Sequence, residues 1–220
     1  MSVFDRPIVM LDFETTGLSP DMGDRITEVA ALRIVGGEIR ERYVSLVNCG
    51  VRIPSFITQL TGITQQMVDT APSAGRVMPE LLDFIGGDIL SAHNASFDEK
   101  FLKAEGWRIG RPTGHAGLVC SLKLSRRLFP GLPSYKLGNL SNQLGIAFRG
   151  TAHRAEADAE VAAEVLLHAA RHLGRTHGLE RVAPDLLVSV NKVAAAKVPV
   201  FLDKYMKLER QRVEDARAAA

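Results

Sequence analysis

Residues 25–47 constrain the fold of this chain more than any other stretch. Residues 25–35 are rich in apolar and β-branched types, Gly36-Gly37 follows, and residues 39–47 alternate in polarity. Two such runs around a pair of glycines predict a β-hairpin with a tight turn. A short apolar run at 8–13, ending in polar residues, predicts a buried strand ahead of it. Helical patterns follow at 54–64 and 72–85, the second with Val77, Leu81, Leu82 and Ile85 on one face. Residues 88–94 read as a further strand. Residues 96–105 read as a helix opened by a capping box from Ser96 to Glu99. Residues 119–129 hold a strand end and then a helix. Leu137, Leu140 and Leu144 mark another helix, and 154–173 is a long Ala-rich one. Three strands followed by alternating helices and strands argue an α/β fold, a mixed β-sheet flanked by helices.

Beyond residue 183 the pattern changes. Residues 188–196 are apolar and Ala-rich, Pro199 breaks them, and 201–219 form a mixed-charge helix with Phe201, Leu202, Tyr205, Met206 and Leu208 on an apolar face. The division expected is one domain over 1–180 and a helical C-terminal extension over 181–220. The extension is expected to be dispensable for chemistry and to serve a partner or self-association.

Net charge over the 220 residues is only +2, so the whole-chain balance says little about partners. Its distribution says more. Eight basic residues (Lys100, Lys103, Arg108, Arg111, Lys123, Arg126, Arg127 and Lys136) face one acid, Glu105, between residues 100 and 140. That segment carries +7 and leaves −5 for the remainder, a distribution suited to a polyanion. The alternative is a solvated face. Cys49 and Cys120 form no zinc-type spacing and no disulfide framework, so reduced thiols and a cytoplasmic location are expected. No apolar run is long enough to span a bilayer.

The chemistry lies in three acidic clusters. Asp12 and Glu14, two apart at the end of the first strand, share a face. Like charges about 4 Å apart repel by roughly 4 kcal/mol at an effective dielectric near 20, so such a pair at a buried sheet end is costly without a cation. The alternative is an exposed acidic pair before a turn, since Thr15-Thr16-Gly17 follows. Asp98, in His93-Asn94-Ala95-Ser96-Phe97-Asp98, falls in the first turn of a helix at a strand-to-helix junction, where α/β proteins build sites. The bland reading is a carboxylate on the helix dipole. Asp158 closes His153-Arg154-Ala155-Glu156-Ala157-Asp158. Five helical residues turn through about 500°, which would leave His153 and Asp158 about 140° apart. His153 is therefore placed on the loop before the helix, where a histidine suits general-base work because imidazole titrates near neutrality. The alternative is a surface histidine, of which His168, His172 and His177 supply others nearby.

These motifs resemble those of the DEDD exonucleases. Val9-Met10-Leu11-Asp12-Phe13-Glu14-Thr15-Thr16-Gly17-Leu18 is similar to the first motif, and the runs ending in Asp98 and Asp158 to the second and third, in the histidine-bearing subtype (DEDDh). Within it the likeness is to the proofreading (epsilon) subunits of bacterial DNA polymerase III. Leu60-Thr61-Gly62-Ile63-Thr64 and Tyr135-Lys136-Leu137 match secondary positions, while Glu156 stands where the family has a small apolar residue. The resemblance spans residues 7–173. It implies a ribonuclease H-like fold and 3′→5′ release of nucleoside 5′-monophosphates. It further implies two Mg²⁺ ions, with Mn²⁺ substituting. Asp12, Glu14 and Asp158 hold the first ion, Asp12 bridges to the second, and Asp98 supports that one through water. His153 deprotonates the attacking water. Two ions about 3.5–4 Å apart can stabilise both the entering and the leaving oxygen. Thr15, Leu18, Ile63, Asn94 and Phe97 are the candidates for the terminal nucleotides. Three functions remain open: a DNA exonuclease preferring single-stranded or mispaired 3′ ends, in partnership with a polymerase; an exoribonuclease resembling ribonuclease T or oligoribonuclease; and a non-catalytic polymerase-accessory module.

Overall fold

The computed structural model describes residues 3–147 and 150–218. Its first strand, β1 (Ile8–Thr15), leads through a loop into β2 (Ile26–Val35) and β3 (Glu38–Leu46). β2 and β3 form the expected antiparallel hairpin. Gly36 and Gly37, at its turn, have φ of 65° and 105°, left-handed values that glycine adopts without strain.

Helices α1 (Ser55–Thr61), α2 (Gln65–Asp69) and α3 (Ala74–Ile85) precede strand β4 (Ile89–Ala92) and helix α4 (Ser96–Arg108). The single helix expected over 54–64 is a correction. Gly62, at φ 73°, ends α1, and the Thr64 side chain caps a second short helix. α3 buries Val77, Leu81, Leu82 and Ile85 as its spacing requires. The Ser96 capping box is a second correction. The residue before the helix is Ala95, with helical dihedrals and no side-chain cap. The first turn is closed instead from Asn94, whose carbonyl accepts from Phe97 N–H at 2.9 Å.

Strand β5 (Gly117–Cys120) runs into α5 (Ser121–Leu128). Then come α6 (Leu137–Gln143), α7 (Ala155–His177), α8 (Pro184–Lys192) and α9 (Val198–Ala218). Pro199 does not break a helix. It sits in the first turn of α9, where its missing N–H leaves nothing unsatisfied. The end expected for that helix, residue 219, lies outside the described residues.

The sheet order is β3-β2-β1-β4-β5, antiparallel from β3 to β1 and parallel from β1 to β5. β1 is central and its residues alternate between two cores. Ile8 and Met10 pack with Ala159, Ala163 and Leu166 of α7. Val9, Leu11 and Phe13 pack with Leu81 and Ile85 of α3 and Phe101 of α4. The small side chains on α7 let it lie close on the sheet, leaving little void to fill.

The segment beyond residue 183 is helical as expected, but it is not set apart. Leu186, Leu187, Val190, Val198, Leu202 and Met206 belong to the same buried cluster as α7. The Asn191 side chain accepts from Cys120 N–H at 2.7 Å, and Arg127 donates to the Val193 carbonyl at 2.9 Å. Among the described residues, the cluster that holds α7 continues past residue 180. Among the described residues, no helix is long and apolar enough to cross a membrane.

Candidate active site

The ladder between β1 and β4 covers only Ile8 to Met10 against Ile89 to Ser91. Past Met10 the strands part, and the acids occupy the opening at their carboxyl ends, where open α/β sheets place ligands. Asp12 and Glu14 continue the face that carries Ile8 and Met10. That face looks toward α7, which delivers Asp158 in its first turn. α4 packs on the other face, and its first turn brings Asp98 to the same opening, where Phe13 N–H donates to the carboxylate. The β1–β2 register shifts between Glu14 and Thr15, an irregularity of the kind that re-aims side chains next to sites.

The electrostatics follow from this crowding. Burial, then Asp98, Asp158, Glu14 and Glu28, hold the Asp12 carboxyl well above the usual range. Burial, followed by the charges of Asp158 and Glu28, pushes Glu14 up to about 8. Asp98 is 3% exposed and also rises to about 8, because burial outweighs two backbone N–H donors. Asp158 is raised as well, chiefly by burial. Oxygen donors that resist ionisation only because they are crowded and dry are chemically suited to a divalent cation, whose charge removes the penalty. Glu14, His153 and Asp158 each bring a donor atom within 4.8 Å of one another, so the residues present fit a bound metal ion.

His153 precedes α7, as expected, and has φ 61°. Asn94, beside Asp98, has φ 67°. They are the two non-glycine residues with positive φ among those described, and both flank the acids. Strain of this sort persists only where the surroundings impose it. The His153 N–H donates to Asp158 Oδ2 at 3.2 Å. Glu156 faces away and pairs with Arg42 of β3 at 2.9 Å.

The expected nucleotide contacts separate into two groups. Leu18 is 78% exposed and its carbonyl accepts from Lys100 Nζ. Asn94 is exposed, and Phe97 is half-buried, with its ring 5.1 Å from that of Phe101. Thr15 is buried beside the acids, its hydroxyl donating to the Gly17 carbonyl. Ile63 is a correction. It is 0% exposed and fills a small cluster with Ile53, Ile57 and Val68, so it offers no surface to a base.

The basic segment is also less free than its sequence implies. Lys103 pairs with Glu99, Arg108 with Glu105 and Arg111 with Asp83. Arg127 is committed to backbone carbonyls. Arg126 is exposed, with its guanidinium 5.5 Å from the centre of the Tyr135 ring, and Lys136 is exposed beside it.

Two residues went unassigned at the level of sequence. His93 is held between Ser121 Oγ and the Tyr135 carbonyl, both at 2.9 Å. A carbonyl only accepts, so Nε2 carries the proton. Burial lowers the pKa of His93, and the neutral ring ties the end of β4 to α5 and the loop before α6. The other is Glu28 of β2, directly across the ladder from Glu14. Its signal was the one acid in a mostly apolar strand.

Residues 9–166 match the RNase T family model, described as exonuclease. The chain is 40% identical over 159 residues to the 3′-5′ exonuclease DinG of Bacillus subtilis, covering 72% of this chain but 17% of that protein. It covers 11% of a PolC-type DNA polymerase III of Clostridium perfringens at 38% identity. With the DNA polymerase III subunit epsilon of Aquifex aeolicus it shares 33% over 183 residues, 81% of this chain and 87% of the relative. Among solved structures, exonuclease X in complex with 5′ overhanging duplex DNA superposes with a TM-score of 0.66 at 25% identity, covering 84% of this chain and 99% of the other. The nuclease domain of 3′hExo, a DEDDh family member bound to rAMP, gives 0.64 at 21% identity over 75% of this chain and 92% of the other, a likeness of fold. With its motif acids gathered at one sheet end and the family match spanning most of its length, the chain belongs to the RNase T family of exonucleases and shares its fold with the nuclease domains it superposes on.

Proposed function

We propose that this chain removes nucleotides from single-stranded or frayed DNA 3′ ends, in proofreading or repair. The observation that carries the reading is the convergence of Asp12, Glu14, Asp98 and Asp158 at one sheet end, in a strip too crowded for four unpaired carboxylates. Asp12, Glu14, Asp98 and Asp158 would hold two divalent ions, Mg²⁺ by preference and Mn²⁺ in its place. When bound, such ions supply charge at the phosphate and acidify a water. His153 stands exposed beside Glu14 and Asp158, on the solvent side of the strip, and takes the proton of the attacking water. Leu18, Asn94 and Phe97 border the opening and contact the last nucleotides, with Thr15 behind them. Arg126 and Lys136 follow the backbone of the strand without reading sequence.

The DNA preference rests on those relatives that carry DNA polymerase names, the PolC-type enzymes and the epsilon subunit. A terminus reaches the acids only after leaving the stacked duplex, which costs a few kcal/mol and least at a mismatch. A polymerase subunit is the partner proposed. Cys49 and Cys120 are both free and buried, which suits the cytoplasm. Matched DNA and RNA single strands, and paired and mispaired DNA ends, test the reading through kcat/KM. Faster hydrolysis of DNA and of mispaired ends is expected. Faster hydrolysis of RNA would turn it into an RNA-processing enzyme.

A further inference from the structure

The N-terminus of α7 carries two of the five motif residues, yet nothing in its own sequence caps it. Arg154, the residue before the helix, makes no side-chain cap. Glu28 supplies one from another element. It lies in β2, on the face that looks toward α7, and is 3% exposed. Its carboxylate accepts from Ala155 N–H at 2.9 Å, from Arg154 Nε at 3.1 Å and from Arg154 Nη2 at 2.6 Å. Ala155 N–H is one of the helix-terminal donors that the helix cannot satisfy itself. A carboxylate there is favoured by the helix dipole, and the guanidinium fork fixes its orientation.

The residue just upstream is His153, held at φ 61°. Such a conformation is strained for a residue with a side chain and survives only when its neighbours leave no alternative. On one side, His153 N–H is bound by Asp158. On the other, Arg154 and Ala155 are both fastened to Glu28. We propose that the Glu28–Arg154 pair is a latch that positions His153 and Asp158 for hydrolysis, Glu28 and Arg154 being positioning residues that act through α7. The proposal rests on the reading of His153 and Asp158 as catalytic. A buried ion pair need add nothing to stability, so the pair is retained here for the geometry it enforces.

The test uses Glu28→Gln, Arg154→Met and Arg154→Lys in the full chain. Arg154→Lys keeps a positive charge beside the buried Glu28 carboxylate, so it guards the test against a variant that fails to fold. Two readouts are taken: kcat and KM on a 5′-labelled single-stranded oligonucleotide, and amide hydrogen exchange at residues 153–158 and in α3. Arg154→Met should lower kcat by about 10- to 100-fold, the size of effect that a displacement near 1 Å produces, with KM held within about twofold. Exchange should quicken at residues 153–158 while α3 keeps its protection, and Arg154→Lys should recover part of the lost kcat. An unchanged kcat in Arg154→Met, or exchange that quickens equally in α3 and α7, would overturn the latch. Exchange needs no turnover, so a wild-type chain without nuclease activity would sink the functional reading while the exchange pattern still judged the latch.

Discussion

The N-termini of α4 and α7 do the same job by different means. Each presents an acid to the same opening, and each is preceded by a left-handed non-glycine residue, Asn94 or His153. At α4 the fixing is by backbone. Asn94 C=O closes the turn, Phe13 N–H reaches Asp98, and the acid is sealed between the sheet and the helix. At α7 the fixing is by side chains. Glu28 grips Arg154 and Ala155, Asp158 is half-buried, and His153 stands in solvent. The sealed end holds an acid in place. The open end leaves room for a water, a phosphate and a proton acceptor.

The largest effect expected comes from removing what stands behind the open end. Deleting residues 184–220 would strip Leu186, Leu187, Val190, Leu202 and Met206 from the cluster that supports α7. Each such side chain stabilises by about 1.5–3 kcal/mol when buried, against a total near 5–15 kcal/mol for a domain. The truncated chain should therefore be unfolded or insoluble, as circular dichroism would report. A folded, active truncation would restore the view of a dispensable extension.

Next come the acids. Asp98→Asn and Asp158→Asn should each lower kcat/KM by about 10²–10⁴, the several kcal/mol that bound metal ions supply. Without metal, Asp98→Asn should melt higher than wild type, because it removes a buried carboxyl at the sealed end. Asp158→Asn should change melting less. Equal melting shifts would erase the difference between the two ends.

His153→Ala should lower kcat by about 10²–10⁴, the range of a general base. Calorimetric Mn²⁺ titration sharpens its role, since His153 lies within 4.8 Å of Glu14 and Asp158 donors. Affinity within a few-fold of wild type is expected, and a large loss would make it a ligand.

The pH dependence of stability is a smaller effect with a definite sign. Glu14 and Asp98 rise to about 8 in the folded chain, whereas unfolded carboxylates titrate near 4. Between those values the native state binds more protons than the unfolded one, so stability falls as pH rises. Their contribution is fully present below about pH 4 and lost as pH passes about 8. In EDTA the melting temperature should drop from about pH 5 to about pH 8, and Mg²⁺ should flatten the slope. A slope unaffected by Mg²⁺ would separate the acids from metal binding.

Smallest is Arg126→Ala, which should weaken oligonucleotide binding at every sequence and reduce the salt slope by about one. No change would remove Arg126 from the strand's path.

Much of this was legible in the sequence. The hairpin announced itself through Gly36-Gly37, and the strand ends carried Asp12 and Glu14 by simple alternation. His153 was placed ahead of α7 by helical geometry. What escaped depends on tertiary contact. Gly62 ends a helix that apolar spacing would continue. The apolar spacing of Ile63 suits a base-contacting residue as well as a core residue, and only packing decides. Glu105 is already counted in the segment that reads as +7, and pairing with Glu99 and Asp83, which lie outside it, offsets two more of its charges. The apolar residues beyond 183 look like a free face until α5 and β5 are seen beneath them. Glu28 lies 126 positions from Arg154, too far for local pattern to join them.

The central claim is that the strip of acids hydrolyses nucleic acid from the 3′ end with divalent ions. The most direct measurement follows a 5′-labelled single-stranded DNA oligonucleotide with Mg²⁺, with EDTA, and with Asp12→Asn. Progressive shortening from the 3′ end with release of nucleoside 5′-monophosphates, abolished by EDTA and by Asp12→Asn, is the result predicted. Shortening that persists in either, or loss of the 5′ label ahead of any 3′ trimming, would contradict it.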